Sequence, residues 1–118
     1  MSRPQAPRRG DILRVSFDPQ AGHEQAGFRP ALVISNSLYN EHSSTIVVCP
    51  VTHRVRDWPF EVILPEGLPI AGAILVDQIK VIDWRARGGR HVCVCPQGIL
   101  DEVQAKLDVL FTGVSRLT

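Results

Sequence analysis

GGRHVCVCPQGILDEVQAKLDVLF, Gly88 to Phe111, changes its hydrophobic period partway along. The glycine pair marks a turn, and His91 to Cys95 then reads as a strand with Cys93 and Cys95 on one face. Beyond Pro96 the apolar residues Ile99, Leu100, Val103, Leu107, Leu110 and Phe111 recur at helical spacing. Asp101 and Glu102 lie toward the start of that helix, where its dipole favours negative charge, and Gly113 is its stop. Upstream of this helix only strand-like stretches occur. Gly10 to Phe17 sets Leu13, Val15 and Phe17 on one face against Ile12, Arg14 and Ser16, a half-buried strand. Ala31 to Ser35 is apolar on both faces and reads as central in its sheet. Asn36 to Ser44 is polar with one turn of helix. Thr45 to Val51, Phe60 to Leu64, Ala73 to Val76 and Lys80 to Trp84 are further strands. Short consecutive strands separated by turn signals, followed by one helix, predict a mainly β chain: an antiparallel, barrel-like sheet with a C-terminal helix.

The bulk properties narrow the rest. A chain of 118 residues is long enough for one cored domain and too short for two. Residues 1–9, with two prolines, three arginines and almost nothing apolar, read as a flexible basic arm, and residues 10–118 as the single domain. No apolar run is long enough to span a bilayer, and no signal-peptide core is visible, so a cytoplasmic protein is expected. The odd cysteine count, Cys49, Cys93 and Cys95, argues against a disulfide framework, and no second Cys or His pair at ligand spacing supports zinc. No metal and no cofactor are expected. The net charge is only +1, yet eleven of the thirteen basic residues are Arg, whose planar fork matches phosphate oxygens.

The densest chemistry lies in Gly22 to Val33, GHEQAGFRPALV. His23, Glu24, Gln25 and Arg29 fall between glycines and a proline, directly before an apolar strand. His23 and Glu24 are candidate bases, and Arg29 a candidate phosphate fork or a salt-bridge partner of Glu24. Thr52 closes a strand, where its hydroxyl either faces a cleft or bonds its own backbone. Asp77 and Gln78 interrupt an apolar stretch, so they either cap a turn or line a site. Phe28, Trp58 and Trp84 are rings for base stacking or for packing.

Gly10-Asp-Ile-Leu-Arg-Val-Ser-Phe-Asp-Pro19, Gly22-His-Glu-Gln25 through Arg29-Pro30, Pro50-Val-Thr52, Pro59-Phe-Glu-Val62 and Asp77-Gln78 together resemble the MazF/PemK family of bacterial toxins. The resemblance runs from about Gly10 into the C-terminal helix. It implies a small SH3-like barrel of the CcdB type, a homodimer, and a metal-independent, sequence-specific endoribonuclease neutralised by a cognate antitoxin. In the MazF-like branch the implicated trio maps onto Glu24, Arg29 and Thr52, all present. In the Kid/PemK-like branch the histidine and aspartate map onto His23 and Asp77, but the arginine two residues before the aspartate is Leu75 here. Glu24 and Arg29 are therefore the central pair, with His23 and Asp77 as additional candidates.

The reaction so implied is attack of an RNA 2′-hydroxyl on the adjacent phosphate, giving a cyclic phosphate and a 5′-hydroxyl. It needs a base, positive charge at the phosphorane and a donor for the leaving oxygen. Glu24 fits the base where its surroundings raise its pKa, and His23, near neutrality already, fits either proton role. Arg29 supplies charge and Thr52 orients a phosphate oxygen. Gln25, Phe28, His53, Arg54, Arg56, Gln78, Arg85 and Arg87 are the expected contacts to single-stranded RNA. The alternatives are a CcdB-like topoisomerase poison without enzymatic activity and a catalytically silent nucleic-acid-binding homologue, since one fold supports all three.

Overall fold

A computed structural model describes residues 5–17 and 28–115. Seven strands and two helices follow in the order β1 (Asp11–Ser16), β2 (Phe28–Val33), α1 (Ser37–His42), β3 (Ile46–Thr52), β4 (Glu61–Ile63), β5 (Ala73–Leu75), β6 (Lys80–Ile82), β7 (Arg90–Val94) and α2 (Gln97–Thr112). All pairings are antiparallel, along the path β4-β5-β3-β2-β1-β7, and β6 also pairs with β3. β3 is the pivot. One edge meets β2, while the other pairs with β6 over Ile46–Val48 and with β5 over Val51–Thr52. The path does not close on itself, so the sheet is mainly antiparallel and barrel-like without being a closed barrel.

Alternation along β1, β2 and β3 feeds two separate cores. Leu13, Val15, Ala31, Val33, Ile46 and Val48 pack with Ile82 and Trp84 on one face. Ile12, Leu32, Cys49 and Val51 point the other way, onto Leu100, Val103 and Leu107 of α2. Burial of three such aliphatic side chains stabilises by about 1.5–3 kcal/mol each relative to exposure, which is what holds the helix on the sheet. The expectation that Ile12 lies on the polar face of a half-buried strand is therefore corrected. Ile12 is fully buried because α2 covers that face.

Other local expectations shift for physical reasons. β2 begins at Phe28 rather than Ala31, since Phe28, Arg29 and Pro30 pair with Ser16, Val15 and Arg14 of β1. Pro30 has no N–H to donate, and it sits one residue before the β2–β3 ladder starts at Ala31. The first turn of α2 contains no acidic residue, so Asp101 does not act on its dipole and instead accepts from Gln97 Nε2 at 2.8 Å. Gly113 ends α2 in the left-handed region, with its N–H on the Val109 carbonyl. Within the stretch read as the arm, the Pro7 carbonyl accepts from the buried Asn40 amide, and the Arg9 guanidinium bonds the Ile34 carbonyl and Gln104 Oε1.

Cys49 and Cys95 are buried and Cys93 is partly buried. Burial first, and then the Asp77 carboxylate, push the Cys49 thiol up to about 12; burial and Cys93 push Cys95 up to about 11. Below an unfolded thiol pKa of 9.0 both states are protonated and these groups contribute no pH dependence. Between pH 9 and the folded values the unfolded chain ionises first, so stability should fall. Chemical denaturation at pH 8 and pH 10 measures this: Cys49→Ala should flatten the decline, and an equal decline in wild type and variant would show that Cys49 does not contribute to it.

Candidate active site

The two cores leave one end of the sheet open. On the face that α2 covers, the rung Ile12, Leu32 and Cys49 is followed by Arg14, Pro30 and Val51. Here a cleft of about 410 Å³ is lined by Arg14, Phe28, Arg29, Pro30, Val51, Thr52, His53, Arg54 and Arg56. Arg29 and Thr52 meet through strand register. Ala31 of β2 pairs with Pro50 of β3, and Arg29 and Thr52, two residues beyond that pair on each strand, both line the cleft.

Arg29 is exposed, and among the described residues its guanidinium has no hydrogen-bond or ion-pair partner. Thr52 Oγ1 accepts from the Arg54 backbone N–H at 3.1 Å. This is the local turn bond that strand-end threonines favour, and it orients the oxygen while leaving the hydroxyl proton to donate into the cleft. The strand end is also gripped from behind. Gly72, at φ +127°, lies so close that a Cβ there would stand 2.0 Å from the Thr52 carbonyl oxygen. Beyond Thr52 the loop is braced: Glu61, buried, accepts from the Arg56 N–H at 3.0 Å, and Lys106 donates to the Pro59 carbonyl.

Four arginines and no carboxylate among the described lining residues make this a positive cleft suited to a phosphate backbone. Arg14 is the lining residue that the sequence reading did not select. Its signal was an arginine on the polar side of an alternating strand, but the opening beside it depends on where α2 stops. If the four arginines each meet a phosphate of a single strand, log K should fall with log salt at a slope of roughly −3, and Arg14→Ala should reduce that slope by about 0.7. Fluorescence anisotropy on a labelled, non-cleavable RNA measures it, and an Arg14→Ala slope equal to wild type would remove Arg14 from the site.

The remaining described candidates lie outside the cleft's lining. His23, Glu24 and Gln25 fall outside the described residues. Asp77 and Gln78 do not line the cleft; Asp77 Oδ2 accepts from the Trp58 indole N–H at 2.9 Å. Arg85 lies over the Trp84 ring, 4.8 Å from its centroid, rather than in the cleft. Arg87 lies outside the cleft's lining and braces the fold: its Nη1 donates to the carbonyls of Ser16 at 2.9 Å and Phe17 at 2.7 Å. The adjacent Gly88 leaves room for Phe28, whose ring lies 3.1 Å from where a Cβ would stand. The turn after β6 thus holds both the chain entering residues 18–27 and the chain leaving them. A second cleft, about 370 Å³, is lined by residues including Arg8, Asp11, His91 and Trp84, the last being the one stacking candidate it contains. Among the described residues no three His, Cys, Asp or Glu side chains come together as a metal site, and no helix is long and apolar enough to cross a membrane.

A family model for the PemK-like, MazF-like toxin of type II toxin-antitoxin systems matches residues 8–111. The endoribonuclease toxin MazF of Escherichia coli (strain K12) is 41% identical over 104 residues, covering 88% of this chain and 93% of that protein. The crystal structure of MazF (Form-I) from Deinococcus radiodurans is similar at a TM-score of 0.83 and 41% identity, covering 94% of this chain and all of that one. A MazE-MazF structure (Form-II) from the same organism matches at a TM-score of 0.82 and 36% identity, covering 95% of this chain and 100% of the matched one.

Proposed function

The chain belongs to the PemK-like, MazF-like toxins of type II toxin-antitoxin systems, and from that premise we propose the reaction that this endoribonuclease toxin carries out and the residues that perform it. Single-stranded RNA lies in the arginine cleft, and the 2′-hydroxyl beside the scissile phosphate attacks it. The products are a 2′,3′-cyclic phosphate and a 5′-hydroxyl. Arg29 meets the charge that builds on the phosphorane, and Thr52 donates its hydroxyl to a phosphate oxygen. Glu24 takes the 2′-proton, with His23 as the second group able to move a proton. Arg14, Arg54 and Arg56 hold the backbone on either side, and Phe28, 53% exposed, offers a ring at the mouth.

The observation that carries this reading is that Arg29 and Thr52 line one cleft together with three further arginines and no described carboxylate. A topoisomerase poison has no need of that pair, and no described feature favours one. The chemistry is tested by replacing the scissile ribose with deoxyribose. Cleavage should stop, because the nucleophile is gone, whereas EDTA should leave the rate on the all-RNA strand unchanged. Cleavage of the deoxy-substituted strand would sink the mechanism, and loss of activity in EDTA would overturn its metal independence.

A MazE-MazF pairing is seen in the structural relatives, and a cognate antitoxin is the partner here, one that must cover this cleft to silence it. We read the chain as a cytoplasmic homodimer. Val81, Val94 and Phe111 are 62%, 64% and 71% exposed, apolar surface available for a second copy. Sedimentation that finds only monomer at micromolar concentration would contradict the dimer, and recovery with the membrane fraction would contradict the location.

A further inference from the structure

We propose that Trp58 is a base-stacking platform for the RNA strand outside the arginine cleft, and that Asp77 is its positioning residue rather than a proton-transfer group. The inference rests on the endoribonuclease reading. Trp58 is 48% exposed, which leaves much of a large apolar ring in water. Its ring is held nonetheless. The indole N–H donates to Asp77 Oδ2 at 2.9 Å, and the Phe60 ring lies 5.9 Å away at a 50° tilt. The backbone is fixed on both sides as well. The Trp58 carbonyl accepts from the Glu61 N–H at 2.9 Å, and the Pro59 carbonyl accepts from Lys106.

An exposed aromatic ring held in place is pre-organised for a flat partner, since little rotamer freedom is left to lose on contact. What that partner is follows from the neighbours. Arg54 and Arg56 lie on the same loop, two to four residues back toward Thr52, and both line the cleft. A cationic track that leads to an exposed ring is the arrangement that carries single-stranded nucleic acid, with phosphates on the arginines and a base on the ring. Asp77, the acid bonded to the ring, has an oxygen occupied by the indole. It lies off the cleft that joins Arg29 and Thr52, so it is not placed to act on the scissile phosphate.

Steady-state cleavage of a defined RNA separates the two roles of Asp77. Trp58→Ala should raise KM on the order of tenfold or more with little change in kcat, because stacking is lost while the chemistry is intact. Asp77→Ala should raise KM less, and Asp77→Asn, which keeps an acceptor oxygen for the indole, should recover most of that loss. In a Trp58→Phe background, where no indole N–H exists, Asp77→Ala should add nothing further. Quenching of Trp58 fluorescence by non-cleavable RNA, absent in Trp58→Phe, reads stacking without cleavage. A collapse of kcat in Asp77→Asn matching that in Asp77→Ala would make Asp77 catalytic and overturn the inference. So would an unchanged KM and unchanged RNA affinity in Trp58→Ala, or loss of antitoxin binding alone, which would assign the ring to a protein partner. If the wild type cleaves RNA and those results appear, only this inference falls; if the wild type cleaves no RNA, the enzymatic reading falls with it.

Discussion

Arg29→Ala should lower kcat/KM for RNA cleavage by roughly 10²–10³ while the fold and the melting temperature stay close to wild type. The size follows from the role proposed for the side chain. A cation placed where charge develops on the phosphorane stabilises the transition state, and removal of one such donor typically has effects of this order. The small effect on folding follows from exposure: Arg29 has no partner among the described residues, so its truncation leaves no described group unpaired. Arg29→Lys keeps the charge but loses the planar fork, and its activity should fall between the two. Circular dichroism melts beside the kinetics decide the matter. A large drop in melting temperature with little loss of kcat/KM would make Arg29 a structural salt bridge, the other role its sequence context allowed.

Gly72→Ala should act in the opposite way, through the scaffold first. A methyl group at this position would lie 2.0 Å from the Thr52 carbonyl oxygen and 2.9 Å from its carbon, both backbone atoms that cannot swing aside. The residue also holds φ at +127°, which side-chain-bearing residues resist by about 1–3 kcal/mol before any clash is counted. Relief requires the segment at Gly72 and the end of β3 to separate, which shifts Thr52 and His53. A fall in melting temperature of about 10 °C or more is expected, at about 4–8 °C per kcal/mol for a domain of this size. Cleavage measured well below the new melting temperature should still be reduced, because the Thr52 hydroxyl is displaced. A variant that melts like wild type and cleaves like wild type would show that the close approach is not needed.

Much of the architecture is readable from pattern alone. The change of period at Pro96 marks α2, and the alternation in β1 marks a strand with one face turned to a core. What alternation cannot reveal is which second element covers the other face. Ile12 looked solvent-facing because nothing local announces that Leu100 and Val103, some ninety residues later, pack above it. Arg14 has the same pattern and stays exposed only because the helix does not reach it.

The site divides along the same line. Arg29 and Thr52 lie together because two adjacent strands share a register, and each was visible as a polar residue at a strand end. Arg87 was visible only as an arginine in a basic cluster. Its actual partners are carbonyls 70 and 71 positions away, a contact no local pattern encodes. Asp77 was seen as a polar interruption, and its engagement with Trp58 across 19 positions was likewise hidden. Polar side chains whose partners are backbone or distant rings are thus the ones whose contacts residue type alone does not reveal.

The central claim is transesterification by the RNA's own 2′-hydroxyl in the Arg29–Thr52 cleft. It is tested most directly by identifying the ends of a purified RNA cut by the purified protein, using mass spectrometry. A 2′,3′-cyclic phosphate on the upstream fragment with a free 5′-hydroxyl on the downstream one is the predicted result. A 3′-hydroxyl paired with a 5′-phosphate would mean that water, not the ribose, is the nucleophile, and would contradict it.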